Sequence, residues 1–354
     1  MSLTIMSVAF PLAAVTPDAV GGAEQVLLAV DRGLVKRGHR SIMVAQPESK
    51  IAGELIPTMS TPAWVSDQAW RTAHDCVRAA IADVLDNERV DLVHMHGVDF
   101  AEYLPCHDVP VLATLHVPLS WYSQKALHSA RPRTYLNCVS RSQRELAPSR
   151  VPFLPDVENG VDIEFFRSGA GIRKRTFVVA LGRICPEKAF DVALRAAKKA
   201  RVNMFLAGAV YPFEEHHVYF CERIAPELDS RRRYIGPVGL RKKRRLLSAA
   251  RCLIVPTAVH ETSSLVAREA IACGTPVVAF ARGALRDVVR CGKTGFLVER
   301  ESELPDAIDA CRSIDPAECR RAAETFSTSD RMVEQYIATY HGILKGSARL
   351  SNVA

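Results

Sequence analysis

The sequence predicts an α/β protein of two doubly wound domains, each built on a parallel sheet. Three observations carry this. Short apolar runs rich in β-branched residues alternate with stretches of helical periodicity, as in parallel strands buried on both faces and joined by helices. The 354 residues exceed the usual size of one core. Near the middle, Pro148, Pro152 and Pro155 precede Glu158, Asn159 and Gly160. Prolines end regular structure and Asn-Gly favours a turn, so a domain boundary falls there.

In the first half, Leu3–Phe10 reads as a buried strand that leads through Pro11 and Pro17 to Gly21, Gly22, Ala23 and Glu24. A helix follows with Val26, Leu27, Val30, Leu34 and Val35 on one face and Gly38 as its stop. Strand, glycine turn and helix make a phosphate-binding geometry, although paired glycines also serve ordinary tight turns. Ser41–Ala45 and Val90–Met95 are further strands, and Gln68–Leu85 has helical spacing. His94 and His96 share a strand face, the arrangement of a metal pair, but no third ligand has suitable spacing. The next strand, Val109–His116, carries His116 to its carboxyl end, where open α/β sheets place working residues. Trp121 and Tyr122 follow in a loop, as a platform for a sugar or as a hydrophobic plug, and Tyr135–Val139 is the last strand of this half.

In the second half, the strand Phe177–Leu181 ends in Gly182-Arg183, and Glu187-Lys188 precede a helix through Ala200. Arg183 and Lys188 therefore project from one strand-to-helix loop, where an Arg fork and a Lys point charge suit a diphosphate; solvated bystanders are the plainer reading. Met204–Gly208 is another strand. Between the apolar runs CLIVP, from Cys252, and PVVAF, to Phe280, Ser263 or Ser264 caps a helix that Gly274 ends. A helix start at the carboxyl end of a parallel sheet is an anion site. Glu261 and Glu269 decorate it, with 269 − 261 = 8. Neither carboxylate can hold a phosphate, but each can accept hydrogen bonds from hydroxyls of a ribose or a sugar. The alternative is that Glu261 complements the helix dipole and Glu269 pairs with an Arg.

Composition narrows the classes. A hydrophobic share of 48% with 24% charged residues is that of a soluble globular protein. The ten cysteines are scattered without a C-x-x-C pair, against a zinc site or a secreted disulfide scaffold and in favour of a reducing cytoplasm. Met1–Val20 lacks a cationic start and contains prolines, so it reads as a strand and loop rather than a signal peptide. No run approaches the ~20 apolar residues of a membrane span. The net charge of +7 is largely local, in Arg231, Arg232 and Arg233 and then Arg241, Lys242, Lys243, Arg244 and Arg245. Cations at a helix start oppose its dipole, so this second run reads as a solvated face or as a contact for anionic membrane or acceptor.

Several strings together resemble the GT4 family of retaining glycosyltransferases, which have the two-domain GT-B fold. They are Glu261 to Glu269 with Ala270, Gly274 and Pro276 (E-x7-E), GRICPEK from Gly182 to Lys188, Gly21 to Glu24 (GGAE), Thr114-Leu115-His116 (T-x-H) and NGVD from Asn159 to Asp162. The resemblance covers nearly the whole chain, in the family's order. It departs at Ser264 and Ala189, where the family has Gly. Ser264 bears on the sugar contact, whereas Ala189 is expected to matter little.

The resemblance implies two Rossmann-like domains across a cleft, residues 1–163 on the acceptor side and 164–328 for the donor, with a helix in 329–354 returning to the first domain. Its face would be Met332, Val333, Tyr336, Ile337 and Tyr340, and Ser347 to Ala354 is expected to fray. Roles carry over by position. Arg183 and Lys188 take the diphosphate, Glu269 the ribose and Glu261 the donor sugar. Gly182, Thr262, Ser263, Ser264 and Leu265 line the donor, and Val238, in the YIGPVG loop, holds the base. Gly21 and Gly22 close over the donor and His116 faces the reaction centre. No metal and no other cofactor is implied, because two cations stand where a divalent ion would.

The expected activity is therefore transfer of a sugar from a nucleotide-diphosphate sugar to a hydroxyl of a glycan, lipid-linked or small-molecule acceptor. The setting is cytoplasmic, with Arg241 to Arg245 as a peripheral contact to the inner face of a membrane and no nucleic-acid partner. The alternatives are a degenerate sugar-nucleotide binder or another GT-B activity such as an epimerase. A phosphorylase would need a pyridoxal-binding lysine and a much longer chain.

Overall fold

A computed structural model describes residues 2–148, 151–167 and 176–347. They form two compact units, one of residues to Gly160 with those from Ser329 onward, the other Val161–Thr328. Of the segment expected to fray, Ser347 is described and donates its N–H to the Gly342 carbonyl at 3.0 Å, while residues 348–354 lie outside the described residues.

The first unit holds a six-stranded sheet of β1 (Thr4–Val8), β2 (Arg40–Ala45), β3 (Glu54–Pro57), β4 (Leu92–Met95), β5 (Val111–Leu115) and β6 (Thr134–Cys138), in the order β3-β2-β1-β4-β5-β6. Every pairing is parallel, and β4 and β5 are buried along their whole length, with His94 and Thr114 the polar residues in otherwise apolar runs. The short strand β3 has no strong apolar signature in the sequence and pairs only at the edge.

The helix Ser329–Leu344 belongs to this unit and buries Met332, Val333, Tyr336 and Tyr340. Val333 fills the space that Gly33 leaves on the helix Gly22–Lys36, where a Cβ would collide with it. Arg37 ties the two helices together through Asp330 at 3.2 Å and Glu334 at 3.3 Å.

The second unit repeats the plan with β7 (Val178–Leu181), β8 (Met204–Ala207), β9 (Arg232–Tyr234), β10 (Leu253–Val255), β11 (Val277–Phe280) and β12 (Gly295–Val298), ordered β12-β11-β10-β7-β8-β9. Read from its own first strand this is the same topology, the order of Rossmann folds. Val178, Ala180, Ile254 and Val278 pack on one face under the helix Phe190–Lys199, and Val179, Leu253, Val277 and Ala279 on the other under the helix Leu265–Ala272. In each sheet the chain reverses its direction of travel between two central strands, β1 and β4 or β7 and β10. The crevice outside their carboxyl ends is where such sheets bind ligands.

Candidate functional site

In the second unit the loops after β7 and β10 meet at the switch point. The first carries Gly182 to Lys188 and is fastened to the second at Glu187, whose carbonyl accepts from Ala258 N at 2.8 Å and Thr257 Oγ1 at 3.1 Å. Arg282 in turn donates to the Thr257 carbonyl at 2.9 Å. Lys188 Nζ reaches Glu261 Oε1 at 2.5 Å, with 29% of the lysine side chain and 9% of the glutamate exposed. The Glu261 backbone bridges to Gly283, and its carbonyl accepts from Ala284 N at 2.8 Å. Gly283 is needed there, since its φ is 57° and a Cβ would strike the Glu261 backbone. The Arg183 guanidinium lies over the Tyr211 ring, 5.8 Å from its centroid.

The helix Leu265–Ala272 starts at this loop. Neither Ser263 nor Ser264 caps it, which corrects the expectation from sequence. Ser264 occupies the cap position in the left-handed region, φ 52° and ψ 62°, and makes no side-chain capping bond. A normal cap needs an extended backbone to aim its oxygen at the first turn. Ser264 Oγ and Ser263 Oγ are instead both buried without a partner. Thr262 and Leu265 are partly exposed beside them, and Val238 lies half-buried against the same apolar layer.

Glu269 pairs with Lys243, and no Arg takes that place. Lys243 Nζ lies 2.6 Å from Glu269 Oε1, with side-chain exposures of 13% and 4%. Glu269 Oε2 is buried and has no partner. The basic run is thereby also corrected, because it forms no single solvated face. Arg241, Lys242 and Arg245 are exposed, while Lys243 and Arg244 turn inward from the first turns of the helix Leu240–Ala249. Arg244 stacks on Phe165 at 4.5 Å and donates to its carbonyl at 3.2 Å. Ala189 sits at φ 48°, so both departures from the family's Gly fall in the left-handed region, where a Cβ is strained.

In the first unit Gly21 is the residue before the helix Gly22–Lys36, with an ordinary φ of −77°. Its lack of a side chain makes room for the Glu24 carboxylate, which lies where a Cβ would stand. His116 follows β5 and stacks on His96, with His96 Nδ1 and His116 Nε2 2.9 Å apart. Burial drives His116 down to about 3 and holds His94 and His96 well below the usual histidine range.

His94 is spent on structure. Its Nε2 faces Thr114 Oγ1 at 2.8 Å, and that hydroxyl donates to Asn137 Oδ1 at 2.7 Å, so Nε2 carries the proton and Nδ1 accepts from Tyr340 OH at 2.8 Å. Tyr122 is a plug, 5% exposed, whereas Trp121 keeps 39% of its surface open.

Among the described residues one set of three metal-type ligands converges, Cys185, Glu187 and His216, with ligand atoms within 4.8 Å of one another. Its chemistry is poor for a cation. Burial pushes the Cys185 thiol up to about 12, and burial followed by the neighbouring Arg183 charge pushes His216 down to about 4. The same guanidinium would repel a metal ion.

The sequence reading missed the Lys243–Glu269 pair and Gly283 as the support of Glu261. A glycine in the turn after β11 was the only available sign of the latter. For Lys243 the sign was a cation in a helix first turn, which needs a reason to be there.

These two units match known families one by one. Residues 20–165 match Glycosyltransferase Family 4 and residues 175–313 match Glycosyl transferases group 1. The chain is thus GT4-like in both halves, and its fold is GT-B. It is 37% identical over 206 residues to a D-inositol 3-phosphate glycosyltransferase of Mycobacterium tuberculosis, a match covering 51% of this chain and 42% of the relative. The chain therefore spans less than half the length of the curated relatives it matches.

Two solved structures are similar over nearly all of both chains. Sucrose-phosphate synthase of Thermosynechococcus elongatus has 18% identity and a TM-score of 0.76, covering 98% of this chain and 100% of that one. Anabaena HepE in complex with UDP-glucose has 17% identity and a TM-score of 0.74, covering 96% and 100%. No helix among the described residues is long and apolar enough to cross a membrane.

Proposed function

We propose that the protein is a retaining glycosyltransferase that moves a sugar from a nucleotide-diphosphate sugar to a hydroxyl of a glycan, lipid-linked or small-molecule acceptor. The observation that carries this is a set of buried, unsatisfied oxygens, Ser263 Oγ, Ser264 Oγ and Glu269 Oε2, at the switch point that also presents Arg183 and Lys188. Buried polar atoms are normally paired, so these are groups awaiting a polar ligand. The mycobacterial relatives, named for inositol-phosphate glycosyl transfer, and the UDP-glucose in the Anabaena structure support a sugar-nucleotide donor.

In this reading Arg183 and Lys188 receive the charge that grows on the diphosphate as the bond from the anomeric carbon to the phosphate oxygen breaks. Lys188, already at Glu261, joins the sugar-binding carboxylate to the leaving group. Glu261 accepts from sugar hydroxyls and Glu269 from the ribose. The acceptor oxygen bonds the anomeric carbon on the face the phosphate leaves, and its proton passes to a phosphate oxygen. Gly21 and Gly22 approach the donor, His116 orients sugar or acceptor, and no metal or other cofactor is required.

Where the acceptor is lipid-linked, Arg241, Lys242 and Arg245 supply the peripheral contact with an anionic cytoplasmic leaflet. Their joint replacement by Ser should release the protein from anionic vesicles at low salt; equal retention of both proteins would remove the membrane from the reading.

A panel of uridine, adenosine and guanosine diphosphate sugars tests the main proposal. One of them should raise the melting temperature and be slowly hydrolysed, since a ligand stabilises the state that binds it. No shift with any donor in a folded protein would refute it.

A further inference from the structure

Lys243 turns inward, away from the exposed cations Arg241, Lys242 and Arg245, and its placement is costly in two ways. A cation in the first turn of the helix Leu240–Ala249 opposes the dipole, and its side chain is desolvated, with 13% exposed. It is held on a prepared seat. The Phe166 ring lies 5.6 Å from Nζ, and the neighbouring Arg244 stacks on Phe165, fixing the short helix Ile163–Arg167 against the same place. From there Nζ binds one oxygen of Glu269, and only one.

A carboxylate offers lone pairs on both oxygens, and Oε2 is left buried and unpaired on a side chain that leans back toward the start of its own helix. What an oxygen so placed lacks is a hydrogen-bond donor. A phosphate has none to give beside a carboxylate, but the vicinal hydroxyls of a ribose do.

We propose that Lys243 is a positioning residue: by fixing Oε1 of Glu269 it turns Oε2 to the ribose hydroxyls and makes the site select ribonucleoside diphosphates over those lacking the diol. This rests on the donor-binding reading above. Without Lys243 the carboxylate would be free to rotate and would lose the neutralising charge that keeps it ready to accept. Nothing in this arrangement touches the diphosphate, so the effect belongs to the sugar of the nucleotide alone.

Calorimetry on the full chain decides it, using whichever of UDP, ADP or GDP binds wild type and its 2′,3′-dideoxy counterpart. Wild type should prefer the ribo form by roughly tenfold or more, the value of a hydrogen bond to a charged group. In Lys243→Met the ribo form should fall to about the dideoxy level, with dideoxy affinity little changed. Lys243→Gln, which keeps a donor for Oε1, should retain most of the preference, and Lys243→Leu takes the place of the Met variant if that one does not fold.

Equal losses for both ligands would mark Lys243 as a structural tie between helices, and unchanged preference would mark it as irrelevant; either overturns the proposal. A wild type that prefers neither form refutes the positioning role while leaving the donor site standing. A wild type that binds neither form brings down the donor-binding reading and this inference with it.

Discussion

The second unit contains two lysine–glutamate pairs that look alike on paper and differ in kind. Lys188–Glu261 joins two loops, is 2.5 Å long and leaves 29% of its lysine exposed. Lys243–Glu269 joins two helices, is 2.6 Å long and is sealed, with exposures of 13% and 4%. A loop pair near solvent can open when a charged ligand arrives, because water and ligand replace the lost partner. A sealed pair cannot, because removing either member strands a buried charge. In the proposed reading, two pairs of the same length serve two ends, a movable charge for the chemistry and a fixed one for recognition.

The difference can be broken by kinetics first. Arg183→Ala and Lys188→Ala should each lower turnover by about 10²–10³, the usual cost of one preorganised electrostatic donor. Lys243→Met should act mainly through donor affinity. If all three variants lose rate and affinity in the same proportion, the division between the pairs is wrong.

Stability sharpens the same contrast. Breaking the sealed pair in Lys243→Met should cost about 3 kcal/mol of unfolding free energy, as buried pairs do. Lys188→Met should cost less than Lys243→Met, since Lys188 is itself 29% exposed and gives up less on leaving, although the Glu261 it strands is 9% exposed. Urea denaturation of the two variants side by side reads both, and equal costs would erase the distinction.

The first unit supplies a third case, buried histidines kept neutral. His116 is held at about 3 and His94 and His96 well below the usual value, while an unfolded histidine titrates near ~6.5. Below that pH the unfolded chain binds more protons, so stability present at pH 7 is lost as pH falls. For His116 the loss should be roughly 2 kcal/mol between pH 7 and 5, at about 1.4 kcal/mol per pH unit below the unfolded value, and His94 and His96 add to it in the same direction. In His116→Gln the pH slope should be shallower by one histidine's share; an unchanged slope would mean that His116 is already protonated or solvated.

The smallest expected effect concerns backbone. Ala189 at φ 48° carries left-handed strain of ~1–2 kcal/mol, partly offset by the ~0.5–1 kcal/mol that Gly loses on folding. Ala189→Gly should therefore stabilise by about 0.5–1 kcal/mol in the same urea assay; a loss of stability would show that the turn is held by the methyl group.

Much of the fold was legible because buried parallel strands write themselves as short, mainly apolar runs, as in Val111–Leu115 and Val277–Phe280. The edge strand Glu54–Pro57 was not, having no such run. Motif spacing located Arg183, Lys188, Glu261 and Glu269, since those residues sit in loops and helix starts of recognisable form. Lys243 escaped because five adjacent cations carry no sign of which will face inward; that is decided by Phe165 and Phe166, more than seventy positions earlier. The His94–Tyr340 bond escaped for the same reason, linking residues 246 apart. Ser264 was noticed as a departure from the family, but its left-handed backbone, and with it the failure to cap, appears only in three dimensions.

The central claim is that the second unit grips a nucleotide diphosphate at both ends, the phosphates by Arg183 and the ribose by Glu269. Calorimetric titration of wild type, Arg183→Ala and Glu269→Ala with a nucleoside diphosphate and its parent nucleoside tests it most directly. Wild type should bind the diphosphate far better than the nucleoside, Arg183→Ala should lose most of that advantage, and Glu269→Ala should weaken both ligands alike. Diphosphate binding in both variants equal to wild type would contradict the account.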